Sequence, residues 1–168
     1  MFWRVTKTVL ILPGTVLVYV PLLIHYLTGG WPFGGPVGGV VAWSVAVILA
    51  VPALALAATT MRLFVDQGKG TPAPWDPPTK LVVSGPYRYV RNPMLTSVMV
   101  FIIAEATVLN SLALLGWAVV FFGLNTVYFI FSEEPALERR FGSVYLHYKV
   151  AVPRWVPNLR PYQAPDSA

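Results

Sequence analysis

The chain has 168 residues, with 12 Lys and Arg against 7 Asp and Glu, and a formal net charge of +5. Only 11% of its residues are charged and 56% are apolar, where soluble domains carry about 25% and 45–50%. This excludes a disordered chain and argues against a soluble globular domain, because the charges are too few to cover the surface unless much of it faces lipid. There is no cysteine, hence no disulfide framework and no thiolate site. His25 and His147 lie far apart, so no metal is expected.

The first apolar stretch runs from about Thr8 to Leu27. It is too long, and too interrupted by Pro13 and Pro21, for a cleaved signal segment, and no small-residue cleavage site comes after it; it reads as a retained helix. The second, from about Gly38 to Met61, is uncharged. The third, from about Met94 to Leu109, carries one charge, Glu105, and the fourth, from about Ser111 to Ser132, carries none. A spanning helix needs about 20 apolar residues, so the first, second and fourth qualify. The third offers about 24 Å of helix at 1.5 Å per residue. Only Asn110 separates it from the fourth, which predicts a tight helical hairpin over 93–132.

Lys and Arg occur at 4 and 7, at 62, 69, 80, 88 and 91, and at 139, 140, 149, 154 and 160. The loop 28–39 and the turn at Asn110 carry no charge. In a four-helix topology all basic residues therefore fall on one side. The positive-inside rule assigns that side, and both termini, to the cytoplasm. The pI near 9.7 thus reflects topology beside anionic headgroups, and nucleic acid is not expected as a partner. Trp31 and Phe33 in the outer loop suit an interfacial belt. The expected fold is an all-α integral protein of the cell (inner) membrane. It is a single domain over 1–168, with two N-terminal helices in 1–66, the hairpin, and a C-terminal amphipathic helix on the cytoplasmic side.

Two segments on the basic side carry the chemistry. In the first, Gly85-Pro-Tyr-Arg-Tyr-Val-Arg-Asn-Pro-Met94, Asn92 suits a helix N-cap and Pro93 its first turn. Arg88 and Arg91 precede that N-terminus, whose free N–H groups favour an anion. A basic loop that merely obeys the topology rule would look similar. In the second, Leu137, Phe141, Val144, Tyr145 and Tyr148 recur at helical spacing, with Glu138, Arg139 and Arg140 opposite, which predicts an amphipathic helix over 132–149. The adjacent Glu133 and Glu134 end a membrane helix where its dipole disfavours them. Something cationic must compensate: Arg88, Arg91, Arg154 or a ligand.

These motifs, with Val152-Pro-Arg-Trp155, resemble those of the isoprenylcysteine carboxyl methyltransferase and phospholipid methyltransferase superfamily, over about residues 78–160. The resemblance implies an integral-membrane enzyme that transfers a methyl group from S-adenosylmethionine to a membrane-partitioned small molecule or lipid at the cytoplasmic face. It places Arg91, Asn92 and Pro93 at the family's Arg-His-Pro turn and Glu133-Glu134 at its paired acids, within a cofactor-binding core over 78–160. With these, the candidate cofactor set is Gly85, Tyr87, Arg88, Arg91, Asn92, Pro93, Glu133, Glu134, Leu137, Tyr145 and Tyr148, with Arg91, Glu133 and Glu134 nearest the chemistry and Arg154 toward the substrate. Asn125 either reaches into the same cavity toward the substrate or bonds a neighbouring helix. The residue types suit such a ligand. A carboxylate can accept from its ammonium or ribose, a guanidinium can grip its carboxylate, and a tyrosine ring can face adenine or sulfonium.

Two other readings compete. A membrane reductase of the sterol-reductase type, using NADPH, would carry an acid shortly after the Arg-Asn-Pro turn, and residues 94–104 contain none. A non-enzymatic scaffold gives no reason for the acid pair and the arginines to coexist at this spacing. Carboxylate, amine and thiol acceptors remain open.

Overall fold

The computed structural model describes residues 2–28, 36–71, 73, 75 and 77–163. The described residues are helical or irregular, with no strand among them. The first helix runs as α1 (Phe2–Gly14), a π-turn over Thr15–Tyr19, and α2 (Val20–Leu27). Next come α3 (Pro36–Leu63), continued by a second π-turn over Phe64–Gly68, and a short 3-10 turn over Gly85–Arg88. The hairpin consists of α4 (Pro93–Val108) and α5 (Leu112–Tyr128). A third π-turn, Phe129–Glu133, carries α5 on into α6 (Glu134–Phe141), and α7 (Ser143–Ala151) comes last.

Three continuous helices are long and apolar enough to cross a membrane: Thr6–Leu27, Gly39–Gly68 and Leu112–Phe141; Pro93–Val108 is a shorter apolar helix. The protein is therefore an integral membrane protein, as the apolar run lengths require. Its large aliphatic side chains point outward, with Val40, Ile48, Val119 and Leu124 among those more than half exposed. Trp31 and Phe33 fall outside the described residues.

Prolines shape two of the π-turns. Pro21 and Pro135 cannot donate a helical hydrogen bond, and their rings crowd the preceding turn. In each case the turn just before widens to an i→i−5 register: Val20 N donates to Thr15 O and Glu134 N to Phe129 O. The register next asks Pro21 for a donor to Val16 O. Trp117 Nε1 of α5 supplies it instead, at 3.2 Å, as membrane helices require of freed carbonyls. This bond pins the first helix to a core of Ile102, Ala118 and Phe121, with Leu95, Val98 and Met99 packed around them.

α3 packs along α4, and α4 turns back against α5. Asn110 makes the turn with φ 44°, and the Ser111 hydroxyl caps α5 by accepting from Leu114 N at 3.3 Å. Pro93 opens α4 as expected. Asn92 occupies the cap position, but its side chain makes no cap bond.

The expected single amphipathic helix over 132–149 is two. α6 is the continuation of the membrane helix, and α7 turns away at Gly142, whose φ of 57° and ψ of −134° belong to a region open to glycine. The spacing of the apolar residues is continuous through that glycine, so periodicity alone does not reveal the break.

The basic segments gather at one end. Arg91 N donates to Pro153 O at 2.9 Å, Asn158 N to Tyr89 O at 2.9 Å and Tyr162 N to Arg88 O at 2.8 Å. The chain after α7 thus runs as a strap beside residues 88–91. Thr8 and Thr71 share a buried hydroxyl–hydroxyl bond of 3.3 Å, which ties the N-terminal helix to the chain just after the second π-turn.

Candidate functional site

Glu134 lies at the centre of that end. Its carboxylate is only 3% exposed, yet three cations surround it. Arg91 Nη1 donates to Oε1 at 2.8 Å, Arg154 Nε to the same oxygen at 2.7 Å, and Lys149 Nζ lies 3.1 Å from Oε2. Each cation comes from a different segment: the turn before α4, the strap, and α7. Arg91 is further fixed, because its Nε donates to Val152 O at 2.9 Å and Nη1 to the Tyr145 hydroxyl at 3.3 Å. Lys149 also reaches Glu138 Oε1 at 2.6 Å. That bond, and next its bond to Glu134, raise the Lys149 pKa, while the bond to Glu134 raises that of Arg154. Both side chains are held as cations.

Glu133, next in the chain, is half-buried and has no ion pair or side-chain hydrogen bond among the described residues. One acid of the pair is neutralised by the protein and the other is left open. Of the compensating cations expected from sequence, Arg91 and Arg154 serve Glu134. Arg88 does not; its Nε donates to Tyr162 O at 2.7 Å and holds the strap. Lys149 is a site residue that the motifs do not mark. Its signal is the four-residue step from Tyr145, which puts both on one face of α7.

The remaining sequence candidates divide into packing and open positions. Gly85 begins the 3-10 turn with φ 55°, and an added Cβ would lie 3.0 Å from Leu63 Cδ1. Tyr87 is buried, its ring 5.6 Å from that of Phe64, and its carbonyl accepts the Tyr148 hydroxyl at 2.7 Å. Tyr145, Tyr148 and Val152 form a buried cluster with Leu137, Phe141 and Tyr162 around it. Burial raises the pKa of Tyr87, Tyr145 and Tyr148, so these hydroxyls stay protonated and do not serve as bases. Pro93 is buried. Asn125 turns back on its own helix, Nδ2 donating to Phe121 O at 2.8 Å. Asn92 Nδ2 is buried and has no partner, as is the indole Nε1 of Trp155, one residue past Arg154. Buried donors in native structures are nearly always satisfied, so two orphans flanking one clamp mark a place built for something more. Among the described residues no group of three or more His, Cys, Asp or Glu side chains is placed to hold a metal.

The two acids should respond oppositely to neutralisation. Glu134→Gln removes the charge shared by three cations. Arg91 is 10% exposed, but Arg154 and Lys149 are 23% and 33% exposed and can turn to water. The loss should therefore be about 1.5–3 kcal/mol, and the melting temperature of the detergent-solubilised, ligand-free protein should fall by several degrees. Glu133→Gln should melt like the parent. A Glu134→Gln variant that melts normally would mean the clamp is not structural.

The arrangement is thus a polar site at one end of a membrane hairpin, closed by a C-terminal strap, with one acid committed and one free. No curated protein and no solved structure matches the chain significantly. The family model for phospholipid methyltransferase matches residues 41–144, from α3 through the start of α7. This match includes the Arg-Asn-Pro turn, the hairpin and the acid pair, and it ends before Tyr145, Lys149 and the strap. The chain belongs to the phospholipid methyltransferase family, a family of membrane methyltransferases.

Proposed function

We propose that the protein transfers the methyl group of S-adenosylmethionine to a lipid or other bilayer-borne amphiphile at the basic end of the hairpin. The observation that carries this is the unequal acid pair: Glu134 is fully engaged within the protein, while Glu133 beside it is open to a cation or hydroxyl from outside. When bound, S-adenosylmethionine supplies an electrophilic methyl on a sulfonium together with ammonium, hydroxyl and carboxylate groups. The residues fit those groups. Glu133 accepts from the ammonium or a ribose hydroxyl, and the orphaned Asn92 Nδ2 donates to an oxygen or ring nitrogen. Arg91 is placed as a positioning residue, since its Nε and Nη1 are already bonded to Val152 O and Glu134. It fixes the turn that presents Asn92. Gly85, Tyr87, Arg88, Pro93, Leu137, Tyr145 and Tyr148 build the wall behind it.

Catalysis in such a site is alignment and exclusion of water more than proton chemistry. A carboxylate or thiolate acceptor arrives as an anion and needs no base. An amine acceptor must lose a proton, and Glu133 is the carboxylate able to take it. The family's description favours a phospholipid. Arg154 and Asn125 lie on the acceptor side in this reading. The basic end faces the cytoplasm, on the distribution of all 12 Lys and Arg.

Two measurements test this. In thermal melts, S-adenosylmethionine at 100 times its Kd should stabilise the parent by about 2.7 kcal/mol, and NADPH should not. Glu133→Gln should lose a charge-assisted bond of about 1.5–3 kcal/mol and most of that shift. Stabilisation by NADPH alone would favour the reductase, and by neither ligand the scaffold. Because the chain has no cysteine, single probes report topology cleanly: Gly35→Cys should label from outside intact cells and His147→Cys only after permeabilisation. Labelling of both from outside would refute the orientation.

A further inference from the structure

The second orphaned donor belongs to Trp155. Its indole ring lies 4.9 Å from that of Phe122 and meets the Phe129 ring edge-on at 6.1 Å. Phe122 is 39% exposed on the outside of α5, and Phe129 lies four residues before Glu133. The indole therefore spans the boundary between the polar clamp, one residue away at Arg154, and the lipid-facing side of the hairpin. Its Nε1–H is buried and unpaired. An indole N–H donates and cannot accept, so what it lacks is an acceptor atom, and no side chain or carbonyl nearby provides one. The nitrogen has no exposed surface while the strap lies against the hairpin, so an acceptor from the bilayer reaches it only by parting Trp155 from Phe122.

We infer that Trp155 is a recognition residue for the methyl acceptor, its Nε1–H donating to an anionic oxygen, phosphodiester or carboxylate, of an amphiphile that enters between the strap and α5 with its chains along Phe122. The inference rests on the methyltransferase reading and adds the acceptor's side of it. The two orphaned donors come directly after, in sequence, the two arginines that share Glu134 Oε1. Asn92 faces the cofactor and Trp155 the acceptor, so one carboxylate sets the distance between the two ligands. Such an N–H favours amphiphiles with a charged oxygen near the group to be methylated over neutral ones of equal chain length, because only the former gain its hydrogen bond.

The test uses the whole protein in maltoside micelles. The indole 1H–15N signal of Trp155 is identified by its loss in Trp155→Phe, a change that keeps a ring against Phe122 and Phe129. Titration with dihexanoyl phosphatidylethanolamine should move that signal saturably, whereas dihexanoyl glycerol and inorganic phosphate should leave it in place. No movement with the phospholipid, or equal movement with dihexanoyl glycerol, overturns the inference. Movement with inorganic phosphate alone overturns the bilayer source. In the transfer assay, Trp155→Phe should raise KM for the phospholipid about tenfold and leave KM for S-adenosylmethionine unchanged. An equal rise in both would make Trp155 merely structural. A saturable shift in a parent protein that methylates no lipid would sink the methyltransferase reading and leave the Trp155 site standing.

Discussion

A buried carboxylate at the end of a membrane helix is tolerable only if its charge is met in full. Glu134 meets this condition by drawing Arg91, Lys149 and Arg154 from three separate stretches of chain. Those contacts bring α7 and the strap over the mouth of the hairpin. The strap's backbone bonds to Tyr89, Arg88 and Arg91 are then a consequence of that closure. Remove the charge and three cations are left facing one another, with Arg91, the most buried of them, least able to turn to water. Arg91, Lys149 and Arg154 all serve Glu134, and Glu133 is left without an ion pair among the described residues.

The closure gives the site its chemistry. Groups at a hydrated helix end would exchange water freely, and in the proposed reaction a methyl acceptor there would compete with it. With Tyr162 of the strap packed on Tyr145, Tyr148 and Val152, the proposed ligands would meet these polar groups with less competing water. Protonated tyrosine hydroxyls are used up inside the wall: Tyr148 donates to Tyr87 O, and Tyr145 accepts from Arg91. Among the described residues around the clamp, what is left unpaired is the Glu133 carboxylate and the nitrogens of Asn92 and Trp155; the other orphaned atom, Glu105 Oε2, lies within α4. Such a remainder suits recognition of ligands brought from outside more than it suits a proton relay within the protein.

Much of this is legible in the sequence. Uncharged runs longer than a bilayer core announce α3 and α5, Asn92-Pro93 announces the start of α4, and one-sided basic residues gather the polar loops at one end. The acid pair demands cations, and two of the three suggested arginines supply them. What the sequence hides is phase. A straight helix through 112–141 does not tell which acid turns inward. The π-turn at 129–133, forced by Pro135, adds a residue and rotates α6 by about 100°. Gly142 hides in the same way, since its positive φ splits a helix without disturbing the apolar spacing on either side. Lys149 reads as one more topology charge until α7 is folded back. The orphaned nitrogens of Asn92 and Trp155 have no sequence signature at all, because an unmet hydrogen bond is a property of surroundings.

In this proposal the open acid of the pair serves methyl transfer to a lipid while its neighbour serves the fold. Transfer of radiolabel measures this most directly. The protein in nanodiscs of mixed phospholipids is given S-adenosylmethionine labelled in its methyl group, and the lipid is then extracted and counted. The expected result is label in the lipid fraction with the parent, and its loss in a Glu133→Gln variant that remains as well folded as the parent. A folded parent that leaves the lipid unlabelled, or a Glu133→Gln variant that labels it at the parent's rate, would contradict the proposed division between the two acids.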